Sequence, residues 1–423
     1  MSTGDILAIA IAVVVYALVS RRLARWWVTM PMVFVTAGAV MEMSGTVDLE
    51  VAIEQVSILA EVTLAVILFS DAVRMNVGRL RSEAGLPARL LLIGLPLTIA
   101  FGALVNWWLL PGLSFAAAAL IASVLAPTDA ALGEAIVSDR SVPVRVRDAL
   151  NVEAGLNDGL AVPAVLLFID LVNDDLDSQS EWSRFLVRQI GGGVALGLVG
   201  GAAIAWLVVM ALRWRWIEPL FGQLATLATA LALFLAAGEI DANQFIAAFV
   251  GGLAFGAVVR DDVADHLDEY TADTGELLAT VAFFTFGNLF VAEAVRSLDW
   301  RIVVCALVLL TLGRMLPVAV ATLGMGLRVP TVAFLGWFGP RGLASIVFGI
   351  LLLEEELPDG DALFDVVALV VVASVFLHGI TATPGAAAYG RWYAGHVESA
   401  SMPEGIAMPA SRLRRRWSSQ PDR

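Results

Sequence analysis

The sequence predicts an all-α membrane protein of about thirteen transmembrane helices, and three observations predict it. Of its 423 residues 59% are hydrophobic and only 16% charged, whereas a soluble domain carries about 25% charged residues to wet its surface. Apolar runs suited to a hydrocarbon layer of about 30 Å fall near 5–20, 28–43, 51–73, 88–110, 113–137, 146–172, 185–212, 218–237, 243–259, 274–294, 301–324, 331–353 and 362–384. Arginine, finally, is concentrated in every second loop.

Arg21, Arg22 and Arg25 follow the first run; Arg74, Arg79, Arg81 and Arg89 the third; Arg140, Arg145 and Arg147 the fifth. Arg213 and Arg215, then Arg260, then Arg328 follow the seventh, ninth and eleventh, and Arg412, Arg414, Arg415 and Arg416 close the tail. The intervening loops hold only Arg184, Arg188, Arg296 and Arg301. Basic loops stay in the cytoplasm, so an odd count puts the N-terminus outside and the C-terminus inside, in a multi-pass protein of the plasma (inner) membrane. No small-residue cleavage site separates Ile6–Val19 from the arginines after it, so the first run reads as a retained helix.

Composition also limits function. The net charge is −14 and there is no lysine; with no basic stripe outside the tail, nucleic acid is not an expected partner. The lone Cys305 excludes internal disulfides, and three histidines without ligand spacing argue against a structural metal. No Gly-rich phosphate loop with its lysine is present, so neither ATP nor any cofactor is expected. From 395 to 423 the chain lacks apolar periodicity and reads as a disordered cytoplasmic tail behind a membrane domain of residues 1–394.

With the seventh run as a linker, six runs precede it and six follow in opposite orientation, the arithmetic of an inverted repeat. The fifth run is interrupted at Ala126-Pro127-Thr128-Asp129, and its partner, the twelfth, at Gly336-Trp337-Phe338-Gly339-Pro340-Arg341-Gly342. Broken helices at corresponding positions of two halves point to a midplane substrate site.

Asp129, Glu153 and Asp158 all fall in these apolar runs, and a charge at that depth costs about 2.5–3.5 kcal/mol on the insertion scale. Pro127 lacks an N–H, so the backbone at Thr128 can open toward an ion. Thr128 then offers hydroxyl and carbonyl oxygen and Asp129 a carboxylate, the ligands a hard cation prefers. A kinked helix capped by Asp129 is the plainer reading, and the two are compatible. Glu153 and Asn157 share a helix face, with Asp158 about 100° further round, and Gly155 and Gly159 let a helix or ion approach. Asp158 is the carboxylate expected to alternate between proton and cation. Glu153 reads as half of an ion pair with Arg314 or Arg341, which the sequence does not choose between; Arg341 could instead offset the C-terminal ends of the half-helices. Asp71 is either a further ligand or the surface partner of Arg74. Phe283 to Asn288 reads as helix packing, His378 as a satisfied polar residue, and Trp26, Trp27, Trp107, Trp108, Trp214 and Trp216 as an interfacial belt.

Together, Ala126-Pro127-Thr128-Asp129-Ala130, Glu153-x-x-x-Asn157-Asp158-Gly159, Arg314 and Gly339-Pro340-Arg341-Gly342 resemble the sodium/proton exchanger family of monovalent cation:proton antiporters, over roughly residues 5–385. The resemblance implies a homodimer in which a core bundle, about 88–172 and 301–384 with the two crossed broken helices, moves against dimerisation helices drawn from the remainder. It implies cation binding by Thr128, Asp129 and Asp158, and a structural ion pair at Glu153. Asn157 before Asp158 implies electroneutral exchange of one proton per cation, with sodium the first candidate. Many members have serine where this chain has Ala154, so one expected oxygen near the cation is missing. An organic-anion symporter and a cation channel are the rival classes.

Overall fold

Backbone in a bilayer must satisfy its own hydrogen bonds, and helix does so within one segment. The computed structural model describes residues 3–47, 49, 52–75, 85–173, 187–259, 261–296, 298–355, 357–358, 360–396 and 404, and among these there is no strand. The helices are α1 (Thr3–Arg25), α2 (Met30–Met43), α3 (Ile53–Val73), α4 (Gly85–Leu109), α5 (Phe115–Val124), α6 (Ala130–Val137), α7 (Val144–Val172) and α8 (Val187–Arg213). They continue as α9 (Pro219–Glu239), α10 (Gln244–Val258), α11 (Asp261–Leu289), α12 (Val291–Arg296), α13 (Trp300–Ala321), α14 (Val329–Trp337), α15 (Leu343–Glu354) and α16 (Gly360–Ala394). Each predicted run holds helix. Among the described residues eight helices are long and apolar enough to cross a bilayer; α2, α5, α10 and α15 are shorter apolar helices.

Both predicted interruptions are real. The fifth run divides into α5 and α6 around 125–129, and the twelfth into α14 and α15 around 338–342. They cross: the Asp129 N–H donates to the Pro340 carbonyl at 2.8 Å, and the Ser345 hydroxyl to the Val124 carbonyl at 2.8 Å. With no N–H on Pro127 to accept from, the carbonyl of Ser123 closes a tight turn with the Ala126 N–H at 3.3 Å.

Some element boundaries differ from the reading of the sequence. α11 begins at Asp261, thirteen residues before the predicted 274, because its acid-rich first half is amphipathic. Leu267, Asp268 and Thr271 face inward there, which a hydropathy window does not register. α16 runs ten residues past 384, carrying Pro384 inside it. α13 breaks at Thr311, between Leu310 and Leu312. Of the tail predicted to be disordered, Gly395, His396 and Glu404 are described; the rest lies outside the described residues. Glu404 is buried, accepting hydrogen bonds from the Arg328 N–H at 2.9 Å and the Thr331 hydroxyl at 3.0 Å.

Small residues let the helices close. A Cβ on Gly287 would strike the backbone of Val35, and one on Gly38 the backbone of Phe284. Asn288 locks this α2–α11 crossing by donating to the Gly38 and Val47 carbonyls at 3.1 and 3.0 Å. The six tryptophans predicted as a belt are all exposed at helix ends.

Candidate functional site

The site is built where the two broken helices cross. Breaking a helix exposes unpaired N–H groups at one new end and unpaired carbonyls at the other, with partial charges to match. At this crossing each end meets a side chain of opposite sign. Asp129 Oδ1 accepts from the Leu132 N–H of α6 at 3.3 Å and Oδ2 from the Leu343 N–H of α15 at 2.8 Å. One carboxylate therefore caps two N-termini. At the carbonyl ends, Arg341 donates through Nη1 to the Ala126 and Pro127 carbonyls behind α5, and its own N–H donates to Ser374 Oγ at 2.6 Å.

The choice left open for Glu153 is settled by geometry. Arg314 makes a two-pronged contact, Nη1 to Oε1 and Nη2 to Oε2, both 2.8 Å, with each side chain about 95% buried. The same guanidinium reaches toward the Leu335 carbonyl of α14 at 3.5 Å. Arg341 therefore serves the helix ends and Arg314 the carboxylate.

Glycines in the second break make this possible. A Cβ on Gly339 would overlap the Arg314 guanidinium, and one on Gly342 the Asp129 carboxylate. Gly342→Ala is expected to displace Asp129 from the Leu343 N–H and to destabilise the fold by about 1–3 kcal/mol, read as a lower melting temperature in detergent. A variant that melts like the parent would show that the crossing tolerates the methyl group.

α7 brings Asn157 and Asp158 to this point. Asn157 donates through Nδ2 to Thr128 Oγ1 at 2.6 Å. Asn157 Oδ1 and Asp158 Oδ1 are both buried, and among the described residues neither accepts a hydrogen bond. Among the described residues Asp129 and Asp71 are carboxylates close enough to act on Asp158. Gly155 faces α3, where a Cβ would lie 3.8 Å from the Asp71 Cβ, so Asp71 stands against α7 one turn from Asp158. Arg74, the surface partner considered for Asp71, puts its Nε on Asp268. Gly159 admits the ring of Phe249, 3.1 Å from where a Cβ would be.

A cavity of about 20 Å³ adjoins the crossing, lined among others by Thr128, Asp129, Asn151, Ala154 and Pro340. Room for one water begins at roughly 10–15 Å³, so a single water or a bare alkali cation fits beside Ala154, where the expected serine oxygen is missing. The structure thus gathers Thr128, Asp129, Glu153, Asn157, Asp158, Arg314 and Arg341 at one crossing, with Ala154 at the cavity and Asp71 across the face of α7. His378 sits behind it, with Nδ1 3.1 Å from Ser374 Oγ.

Reading of the sequence missed Asn151, Ser345 and Ser374. Each is a small polar residue in an apolar stretch, the signal that could have found them. No local pattern distinguishes such a residue from one that bonds its own helix.

Comparison with known proteins agrees with the geometry. Residues 9–387 match the family model described as "Sodium/hydrogen exchanger, transmembrane". The chain belongs to this family of multi-pass membrane transporters. It is similar to the K(+)/H(+) antiporter NhaP of Alkalimonas amylolytica, at 25% identity over 354 residues, covering 82% of this chain and 59% of that protein. It is also similar to the Na(+)/H(+) antiporter 2 of Zygosaccharomyces rouxii, at 25% identity over 66% of this chain and 39% of that one. The chain thus spans less than two thirds of the length of these curated relatives. Its fold matches that of the sodium proton antiporter MjNhaP1 from Methanocaldococcus jannaschii, with a TM-score of 0.72 at 17% identity, over 93% of this chain and 98% of that one.

Proposed function

We propose that the protein exchanges a monovalent cation for a proton through Asp158, one proton per cation, by alternating access. One observation carries this reading. The other charges at the crossing are answered from within the fold: Glu153 by Arg314, Asp129 by two helix N-termini, Arg341 by the carbonyls behind α5. Asp158 Oδ1, like Asn157 Oδ1, is buried without a hydrogen bond among the described residues. An acid so placed needs a proton or a cation, and cannot hold both, which is the condition for obligatory exchange. Because Asn157 is neutral, replacing one proton by one monovalent cation leaves the site's charge unchanged.

Asn157 and Thr128 supply further oxygens, and Asp129 supplies negative potential while it fixes the crossing. The relatives' names divide between potassium and sodium, and the space at Ala154 suits either bare ion. Support for a moving bundle of about 88–172 and 301–384 comes from the crossing itself, which ties α5, α6, α7, α13, α14 and α15 together through Asp129, Arg314 and Arg341. The remaining helices then form the dimerisation scaffold of a homodimer. Thirteen crossings, with the N-terminus outside and the C-terminus in the cytoplasm of the plasma (inner) membrane, fit the arginine distribution.

The test uses proteoliposomes carrying an internal pH dye, pulsed with sodium, lithium, potassium or choline. Proton movement with alkali cations but not choline, unaltered when the membrane potential is clamped at different values, is expected, and the responses rank the ions. Silence under every cation and pH would overturn the reading and bring the organic-anion class forward.

A further inference from the structure

On the arginine-poor face, away from the cavity beside Asp129, α3 and α15 are joined by one hydroxyl between two acids. Ser57, buried on α3, has Oγ 2.5 Å from Glu354 Oε2 and 3.4 Å from Glu61 Oε1. Glu354 is the last residue of α15, where the helix dipole disfavours a negative charge. An acid placed against that preference, and bonded across to another helix, calls for a reason.

A serine hydroxyl has one hydrogen to donate, so it cannot satisfy two ionised carboxylates. With one proton added to the pair the bonds form a chain: the Glu61 carboxyl donates to Ser57 Oγ, and Ser57 donates to Glu354. Without that proton two like charges face each other across a single hydroxyl. Among the described residues no base acts on Glu61 beside Glu354. On α3 the neighbouring charge is Glu54; on α15 and just beyond, Glu355; at the start of α16, Asp361 and Asp365; at the outer end of α7, Asp170. α5 has no charged residue, and α11 none from 277 to 289. Glu354 is exposed and Glu61 half-buried, so water on that face reaches the pair.

α15 carries the Leu343 N–H that Asp129 caps, and so moves with the crossing, whereas α3 belongs to the scaffold of the reading above. We propose that Ser57, Glu61 and Glu354 form a proton-operated latch closing the outer face: one proton on the pair holds α15 against α3, and its loss releases the half-helix so that the site can open outward. The latch rests on the antiport reading and adds to it a sensor of outside pH separate from Asp158.

The experiment uses the full chain in proteoliposomes. In Ser57→Cys/Glu354→Cys, a short membrane-impermeant bifunctional thiol reagent added outside is expected to slow cation-driven proton movement at least tenfold, with recovery on reduction; cross-linked protein transporting at the full rate overturns the latch. In single Glu354→Gln, whose amide bonds Ser57 without charge, the slowing seen on acidifying the outside should weaken by about fivefold, the scale of one hydrogen bond, with the inside-pH response kept. Unchanged outside-pH dependence overturns it as well. Failure of the antiport reading looks different, since the parent protein itself would then move no protons under any cation, and the latch would fall with it.

Discussion

Asp158→Asn is expected to abolish cation-driven proton movement while leaving the protein folded. Asparagine keeps the shape but neither titrates nor carries the charge that holds the cation. Bonds to an ionised group contribute about 1.5–3 kcal/mol, so cation affinity alone should fall roughly ten- to a hundredfold. The proton half of the cycle is lost outright, because the amide has no proton to exchange. Removing a buried, uncompensated charge also removes its desolvation cost, and the variant should melt no lower than the parent. Dye-loaded proteoliposomes and a melting curve of the same preparation check both halves. Proton movement at the parent rate would displace Asp158 as the exchanging group, and a lower melting temperature would show that its charge is paired for stability.

Arg314→Ala is expected to do the opposite, damaging the fold before the chemistry. Glu153 and Arg314 are each about 95% buried and joined by two bonds of 2.8 Å, and removing one partner leaves the other charge stranded in the protein. Breaking a buried pair in this way costs about 3–5 kcal/mol. Yield after size exclusion and melting in detergent report the loss. Glu153→Gln with Arg314→Met, which removes both charges, should recover much of the stability. If the single variant melts like the parent, the pair is not structural. A stable single variant with changed ion ranking would instead move Glu153 into the transport path.

Much of this was legible in the chain itself, for reasons that operate over short distances. Hydropathy marked the runs, and Pro127 and the glycine-proline stretch at Gly339-Pro340 marked the breaks, because a missing N–H or side chain acts within one turn of helix. The acids at 129, 153 and 158 stood out because charge is costly at that depth. The amphipathic start of α11 was not legible by hydropathy, since its inward face is diluted by Asp261, Asp262 and Asp265 on the same stretch.

The sequence alone therefore determined the class of protein, the places where two helices break and the short roster of intramembrane charges. Tertiary structure alone decided their partners. Arg314 rather than Arg341 meets Glu153 across 161 positions of chain, Asp129 caps a half-helix 214 positions away, and Ser57 joins Glu354 across 297. Those pairings depend on the rotation and depth at which each helix packs. Close packing of small residues such as Gly339 and Gly342 fixes both, and neither can be read from the periodicity of a single segment.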